Sequence, residues 1–190
     1  MGKKTIAVHC IHINEDEMDV LKETDTMVVH NPESNMGNAV GCADILTMNK
    51  KGICLGLGTD GYTTDMIESL KAANILHKHE NRDPSAAWVE PPMMLFKNNK
   101  NIVERFIKEK IGIIEKNALA DIIVVDYNPL TPLDQNNIDS HIHFGMMGKS
   151  VVSTMINGKM VMKNRQIADI DENKIYAESR EAAKAFWARA

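Results

Sequence analysis

Apolar residues in the first eighty positions fall into short blocks that switch between two periods. The block "TIAVHCIHI" (5–13) is β-branched and apolar, which predicts a buried strand. It runs into "NEDE", where Asn14 can cap a helix and Glu17, three residues on, completes a capping box. Met18, Val20 and Leu21 give that helix an apolar side. "TMVVH" (26–30) reads as the next strand, and "NPESNMGN" (31–38) as a loop by its turn-forming residues. A helix is expected over 40–50 and a third strand over 52–59, "GICLGLGT". Over 65–79, Met66, Ile67, Leu70, Ala73 and Ile75 or Leu76 recur near the helical period. Strands and helices alternating at this spacing predict parallel βα units. Three such units do not close a barrel, and an open three-stranded sheet leaves its edges unpaired.

A polar, proline-bearing link (80–93) follows, then an amphipathic helix over 98–110. The texture then changes. Strands are expected over 120–127, 150–162 and 165–170, with "NGK" (157–159) as a type I′ hairpin signal. An exposed amphipathic helix closes the chain over 172–190. The expected organisation is therefore an α/β part at 1–110, antiparallel β strands at 111–170 and a C-terminal helix at 171–190. No internal repeat is visible.

Composition narrows the class. The chain has 190 residues, 44% hydrophobic and 25% charged, the balance of a soluble globular protein. A net charge of -4 without any basic block argues against nucleic acid as a partner. The three cysteines, Cys10, Cys42 and Cys54, are scattered with no CxxC spacing. That suggests neither a disulfide framework nor a structural zinc cluster, but reduced thiols in a cytoplasm. The apolar run of the N-terminus is short and broken by His9, so neither a signal peptide nor a membrane span is expected. On this reading the chain has no leader and starts directly into a strand.

The candidate chemistry sits where strands end. Asp60 lies in "GLGTDGYTTD", where the third hydrophobic run breaks into glycine. An acid at the carboxyl end of a buried parallel strand faces the loops that build active sites in barrels and doubly wound sheets. His9 and His30 also end strands. One such histidine is more often a core residue; three groups on adjacent strand ends point to a site. Imidazole nitrogen and carboxylate oxygen are ligand types that zinc and iron accept. His77 and His79 end a helix, where a cation suits the dipole. His141 and His143, in a loop or short strand, are given a structural role. His9 and His12 are three apart, so only one of them can face a site.

In this order and spacing, "AVHCIHI", "VVHNPESNMGNAVG" and "GLGTDG" resemble the late strands of the amidohydrolase superfamily, in its aminohydrolase and chlorohydrolase branch. That branch includes guanine deaminase, the thioadenosine and adenosylhomocysteine deaminases, and triazine hydrolases. The segment "ADIIVVDYNPLTPLDQNNIDSHIHFG" is similar to the tail of the SsnA-type aminohydrolases. The resemblance implies strands six to eight, with their helices, of a (β/α)8 metal-dependent hydrolase barrel, plus part of a small β-sandwich. It implies Asp60 as a metal ligand that also takes a proton from water, and His9 as the group that orients that water or binds a second metal. His30, Asn31 and Asn35 would line the substrate pocket after the seventh strand. The implied cofactor is a divalent metal, zinc before iron, and the partner a small molecule, with no membrane involved. Hydrolytic deamination of a nitrogen heterocycle or amidine is the first expectation, dechlorination the second.

The family's remaining ligands, an HxH on the first strand, a histidine on the fifth and a nearby glutamate, have no counterpart in this sequence. The expectation is a C-terminal part of such an enzyme, poor in metal and inactive alone. Its missing partner would be the first half of the barrel, and its exposed edge would favour association, including homo-oligomers. The alternative is a stand-alone, non-catalytic binding module. Intact "HCIH", "HNPESN" and "GTDG" favour the enzyme. Trp88, in "WVEPPMMLF", is either a lid residue or part of a packed connection, with the connection preferred.

Overall fold

Strands β1 (Ile6–Val8), β2 (Met27–His30) and β3 (Leu55–Leu57) pair in parallel in that order, in a computed structural model that describes residues 1–189. Ile6 lies opposite Met27, Val8 opposite Val29, Val28 opposite Leu55 and His30 opposite Leu57. This register brings the carboxyl ends of the three strands level. Met27, Val28 and His30 of the central strand are wholly buried, as a parallel strand covered on both faces must be.

Helix α1 (Glu15–Glu23) starts with the expected capping box. The Asn14 side chain accepts from Glu17 N–H, and Asn14 N–H donates to Glu17 Oε2, each at 2.9 Å. Helix α2 (Pro32–Gly37) occupies the segment expected to be a loop. Its Pro32 stands at the first turn, where a preset φ favours the helix and the missing N–H costs nothing. Helix α3 (Ile45–Lys50) starts five residues later than expected. Ala39 and Gly41 have positive φ, which no right-handed helix accommodates, and the Asp44 side chain accepts from Thr47 N–H to begin it. Helix α4 (Met66–Asn81) buries Ile67, Leu70 and Ala73 against the sheet.

The first strand is shorter and less buried than its sequence suggests. His9 and Cys10 have φ of 69° and 49°, so the chain turns at the strand's end. Ile6 and Val8 are 40% and 51% exposed, because β1 forms one edge of the sheet.

The opposite edge is closed. Helix α5 (Glu90–Pro92) runs through a π-helical turn (Met93–Asn98) into α6 (Asn99–Val103), which stops well short of residue 110. Asn98 Nδ2 donates to Leu55 O at 2.8 Å; Asn99 Oδ1 accepts from Leu57 N–H at 2.9 Å, and its Nδ2 donates to Leu57 O at 2.8 Å. The carboxamide of Asn99 thus replaces the peptide group of a missing neighbouring strand. Only glycine at position 56 permits the approach, since a Cβ there would lie 2.5 Å from Asn99 Oδ1 and from Ile102 Cδ1. The raw edge expected from three units is therefore present at β1 but not at β3. Asn99→Ala leaves the Leu57 N–H and C=O without partners and should cost about 2 kcal/mol. Urea unfolding measures it; an unchanged midpoint would show that the amide does not seal the edge.

The second sheet is antiparallel, ordered β4 (Ile122–Val125), β5 (Val151–Ile156), β6 (Lys159–Lys163) and β7 (Gln166–Ile167). Asn157 and Gly158 both have positive φ, as the type I′ turn requires. Helix α7 (Ile138–Phe144) lies between β4 and β5 and adds Ile142 to the core. It replaces the loop or short strand expected around His141. Two polar links tie this region to α4. Asp65 caps α4 through Oδ1 and accepts Gly148 N–H through Oδ2 at 3.0 Å, and Lys71 Nζ donates to Met146 O. The final helix α8 (Glu172–Trp187) buries no residue. No helix among the described residues is long and apolar enough to cross a membrane.

Candidate metal centre

His9 follows β1 and Asp60 follows β3, so the level strand ends bring them together across the end of β2. His9 Nε2 lies 3.6 Å from Asp60 Oδ2, with side chains 37% and 46% exposed. Both residues have left-handed backbone, φ 69° and 53°, which side chains other than glycine rarely adopt.

Each group is held from behind. His9 Nδ1 lies 2.8 Å from Asn35 Oδ1. A carboxamide oxygen can only accept, so Nδ1 carries a proton, and Nε2 is the ring nitrogen turned toward Asp60. Asp60 Oδ2 accepts from Ser34 Oγ–H at 2.7 Å and Oδ1 from Gly61 N–H at 2.7 Å. The Ser34 hydroxyl first, then the Gly61 N–H and the His9 ring, hold this carboxyl below its ordinary range. A ring nitrogen and a carboxylate oxygen this close call for a positive charge between them, either a proton on Nε2 or a cation.

A divalent ion fits that arrangement. Two atoms bound at about 2.0–2.2 Å to one tetrahedral zinc lie about 3.4 Å apart, close to the separation observed here. An anchored Nδ1–H and a hydrogen-bonded carboxylate are the supports that metal ligands carry. The set is not closed, however: among the described residues no group of three or more His, Cys, Asp or Glu is placed to hold a metal ion.

The other residues singled out by sequence take different places. His30 is wholly buried, its Nε2 3.2 Å from His77 Nε2, and His77 Nδ1 lies 3.4 Å from Cys42 Sγ. Burial, followed by the His77 and His9 rings, pushes His30 down to about 3; burial pushes His77 down to about 4. Burial, reinforced by Glu80 and Asp44, pushes the Cys42 thiol up to about 12, which keeps it protonated and unreactive. His30 Nδ1 and Asn35 Nδ2 have no partner among the described residues. Asn31 packs against Gly58, where a Cβ would fall 2.4 Å from its Oδ1. The structure thus joins His9, Asp60 and Asn35, and sets His30 and Asn31 in the buried layer behind them.

Ser34 was missed in the sequence because 31–38 reads as a loop; the signal was Asn31-Pro32, a helix start with proline at the first turn. His77, read as a helix-end cation, is instead the buried partner of His30, whereas His79 is exposed. His141 lies 2.7 Å from Tyr127 OH, and His143 Nε2 lies 3.0 Å from Trp88 O, which is structural bonding. Trp88 packs edge-on against His143 and Phe144, carries Lys78 Nζ 4.0 Å over its ring and donates to Pro84 O, so it belongs to a packed connection. A cavity of about 1040 Å³ lies between α4, the π-helical turn and the antiparallel sheet; Met66, Phe96, Ile142 and Val151 line it, and His9 and Asp60 do not. Its lining is mostly apolar and its Asp65 is engaged in capping α4, so the chemistry of the strand ends, not cavity size, locates the candidate site.

The sequence profile of the Amidohydrolase family matches residues 1–161. The chain belongs to the amidohydrolase family. It is 31% identical over 187 residues to a 5-methylthioadenosine/S-adenosylhomocysteine deaminase of Syntrophomonas wolfei, covering 96% of this chain and 43% of that protein. In structure, this amidohydrolase chain is similar to an adenosine deaminase from Xanthomonas campestris with bound zinc, with TM-score 0.82 and 25% identity over 97% of this chain and 43% of that one. A zinc-complexed atrazine chlorohydrolase from Arthrobacter aurescens superposes with TM-score 0.78 at 16% identity, covering 95% and 41% of the two chains, and shows the fold alone. The chain spans less than half the length of each of these proteins.

Proposed function

We propose that Asp60 is a ligand of a divalent-metal site, zinc before iron, and that His9 orients the water beside it or binds a second ion, in an aminohydrolase that releases ammonia from an adenosine-like nucleoside. The observation that carries this is Nε2 of His9 facing Asp60 Oδ2 at 3.6 Å on the level ends of parallel strands. In the (β/α)8 arrangement, β1, β2 and β3 stand as strands six, seven and eight. A tetrahedral site needs more than two protein donors, so the remaining donors come from residues beyond these 190, in the same polypeptide or in a partner.

When bound, the metal makes a water nucleophilic near neutral pH. This chain's residues supply direction and proton traffic. Nε2 of His9 accepts a hydrogen bond from the attacking water and fixes its approach. The Asp60 carboxylate takes the water's proton, while Ser34 and Gly61 keep it ionised until then. The water oxygen adds to the ring carbon bearing the amino group, the proton held by Asp60 passes to the amino nitrogen, the C–N bond breaks and ammonia leaves, and the second water proton ends on the ring nitrogen as the carbon–oxygen bond becomes a carbonyl. His30, Asn31 and Asn35 form the floor behind the reacting groups. The substrate class rests on the deaminase relative acting on 5-methylthioadenosine and S-adenosylhomocysteine, and on the adenosine deaminase neighbour.

The test is the native polypeptide, isolated from its source cell with an antibody to this chain. Its mass, zinc content and ammonia release from adenosine, 5-methylthioadenosine and S-adenosylhomocysteine are then measured. The expected species contains an HxH, a further histidine and a glutamate, carries zinc and releases ammonia from at least one of the three. A species that binds no divalent metal and deaminates none of them would overturn the proposal. In that native enzyme, His9→Ala should cost turnover more than metal if one ion is present. Loss of half the bound metal would identify His9 as ligand to a second ion.

A further inference from the structure

Two consecutive residues of α2 hold the two groups of the candidate site. Ser34 Oγ donates to Asp60 Oδ2 at 2.7 Å, and Asn35 Oδ1 lies 2.8 Å from His9 Nδ1; Ser34 is 4% exposed and Asn35 1%. Because α2 starts directly after the central strand, one helical turn reaches the ends of both neighbouring strands.

The two contacts differ in consequence. Either oxygen of a carboxylate offers the same chemistry, whereas a neutral imidazole has two tautomers with different outputs. With Asn35 Oδ1 at His9 Nδ1, the ring proton stays on Nδ1, and Nε2 is free to accept from water or bind a cation. With the carboxamide turned over, its NH2 would donate to Nδ1, the ring proton would move to Nε2, and Nε2–H would close a hydrogen bond onto Asp60. No lone pair would then face the site. Asn35 keeps the first orientation although its buried Nδ2 finds no partner among the described residues. Asn35 therefore has one buried hydrogen bond, and it is spent on the histidine.

We infer that Asn35 is a positioning residue that selects the tautomer of His9, while Ser34 fixes the carboxylate of Asp60 beside it. The helix after the central strand, rather than the strands bearing the ligands, decides that their lone pairs converge. The purpose of this device rests on the metal-site reading above; its existence does not.

The experiment uses the 190-residue chain, labelled with 15N and free of metal, at about pH 8, where an ordinary histidine is neutral. Long-range 1H–15N spectra report which ring nitrogen carries the proton, and His9→Gln assigns the His9 signals. The expected wild-type result is Nδ1–H. Asn35→Asp, which keeps an acceptor, should retain it. Asn35→Leu should release the ring toward Nε2–H, and Ser34→Ala should leave it on Nδ1. Nε2–H in the wild type overturns the inference outright, whether or not any variant folds. An unchanged tautomer in a folded Asn35→Leu chain overturns it as well. A parallel Zn2+ titration of the native enzyme and its variants separates the two readings. Weakening by roughly 10–100-fold in Asn35→Leu with rescue in Asn35→Asp is the expected cost of a lost supporting partner. A tautomer that switches while Zn2+ binding stays unmoved would uphold Asn35 as the positioning residue and sink the metal reading instead.

Discussion

Asp60→Asn, made in the native enzyme, is expected to strip the metal and abolish ammonia release while leaving the fold intact. The carboxylate has two fixed donors, Ser34 Oγ–H on Oδ2 and Gly61 N–H on Oδ1. A carboxamide keeps only one of those bonds and turns an NH2 group against the other donor. It also removes the full negative charge that opposes a divalent cation and the oxygen that accepts the water's proton. Loss of a mere supporting partner costs roughly 10–100-fold in affinity; loss of a charged ligand should exceed about 100-fold. The side chain is 46% exposed, so the change leaves no cavity, and thermal unfolding of the metal-free protein should shift little. Metal content by elemental analysis, ammonia release and circular dichroism on one preparation decide the matter. If metal and turnover both survive, Asp60 is not a ligand.

Acid should unfold this protein through two buried histidines before its carboxylates titrate. His30 and His77 are 0% and 1% exposed, their rings tilted at 50° with centroids 5.0 Å apart and Nε2 facing Nε2. Two imidazolium ions cannot share that space, and burial removes the water that would screen them. Their folded values, about 3 and about 4, lie below the 6.5 of an exposed histidine. The sign is therefore that of a depressed group. The unfolded chain binds more protons than the folded one between the two values, so stability is complete above about pH 6.5 and is lost as pH falls. Asp44, the charged group acting on His77, offsets burial only in part. Each group contributes a slope approaching 1.4 kcal/mol per pH unit, about 2.7 for the pair. Across pH 6.5 to 4 that slope is comparable with the whole stability of a domain, about 5–15 kcal/mol. His143, also pushed down by burial, acts in the same direction. The depressed carboxyls of Asp60 and Glu104 act lower, below their ordinary 3.8 and 4.5. Urea unfolding at pH 7, 6 and 5 should show the steep loss, and His77→Gln should reduce the slope by about half. Flat stability from pH 6.5 to 4 would show that the rings are not neutral and buried as described.

The pattern of apolar residues determined much of this on its own. Three strands alternating with helices, the capping box at Asn14 and Glu17, and the Asn157-Gly158 hairpin rest on periods and turn chemistry that act over a few residues, so they are readable locally. His9 and Asp60 were legible for the same reason: each stands where a strand pattern breaks, and parallel pairing sends such residues to one side of a sheet. Other features were decided by contacts between segments far apart in the chain. The 3.6 Å approach of His9 to Asp60 depends on the register of three strands. The clamp by Ser34 and Asn35 depends on where a six-residue helix lands, and the closed edge of β3 on two asparagines more than forty residues away. The His77 that reads as a surface cation became a buried neutral ring because α4 sets it against His30 and Cys42 and not against water. Local patterns specify which elements form and which residues end them; only packing specifies which of those residues meet, because burial and hydrogen-bond partners are properties of the assembled sheet.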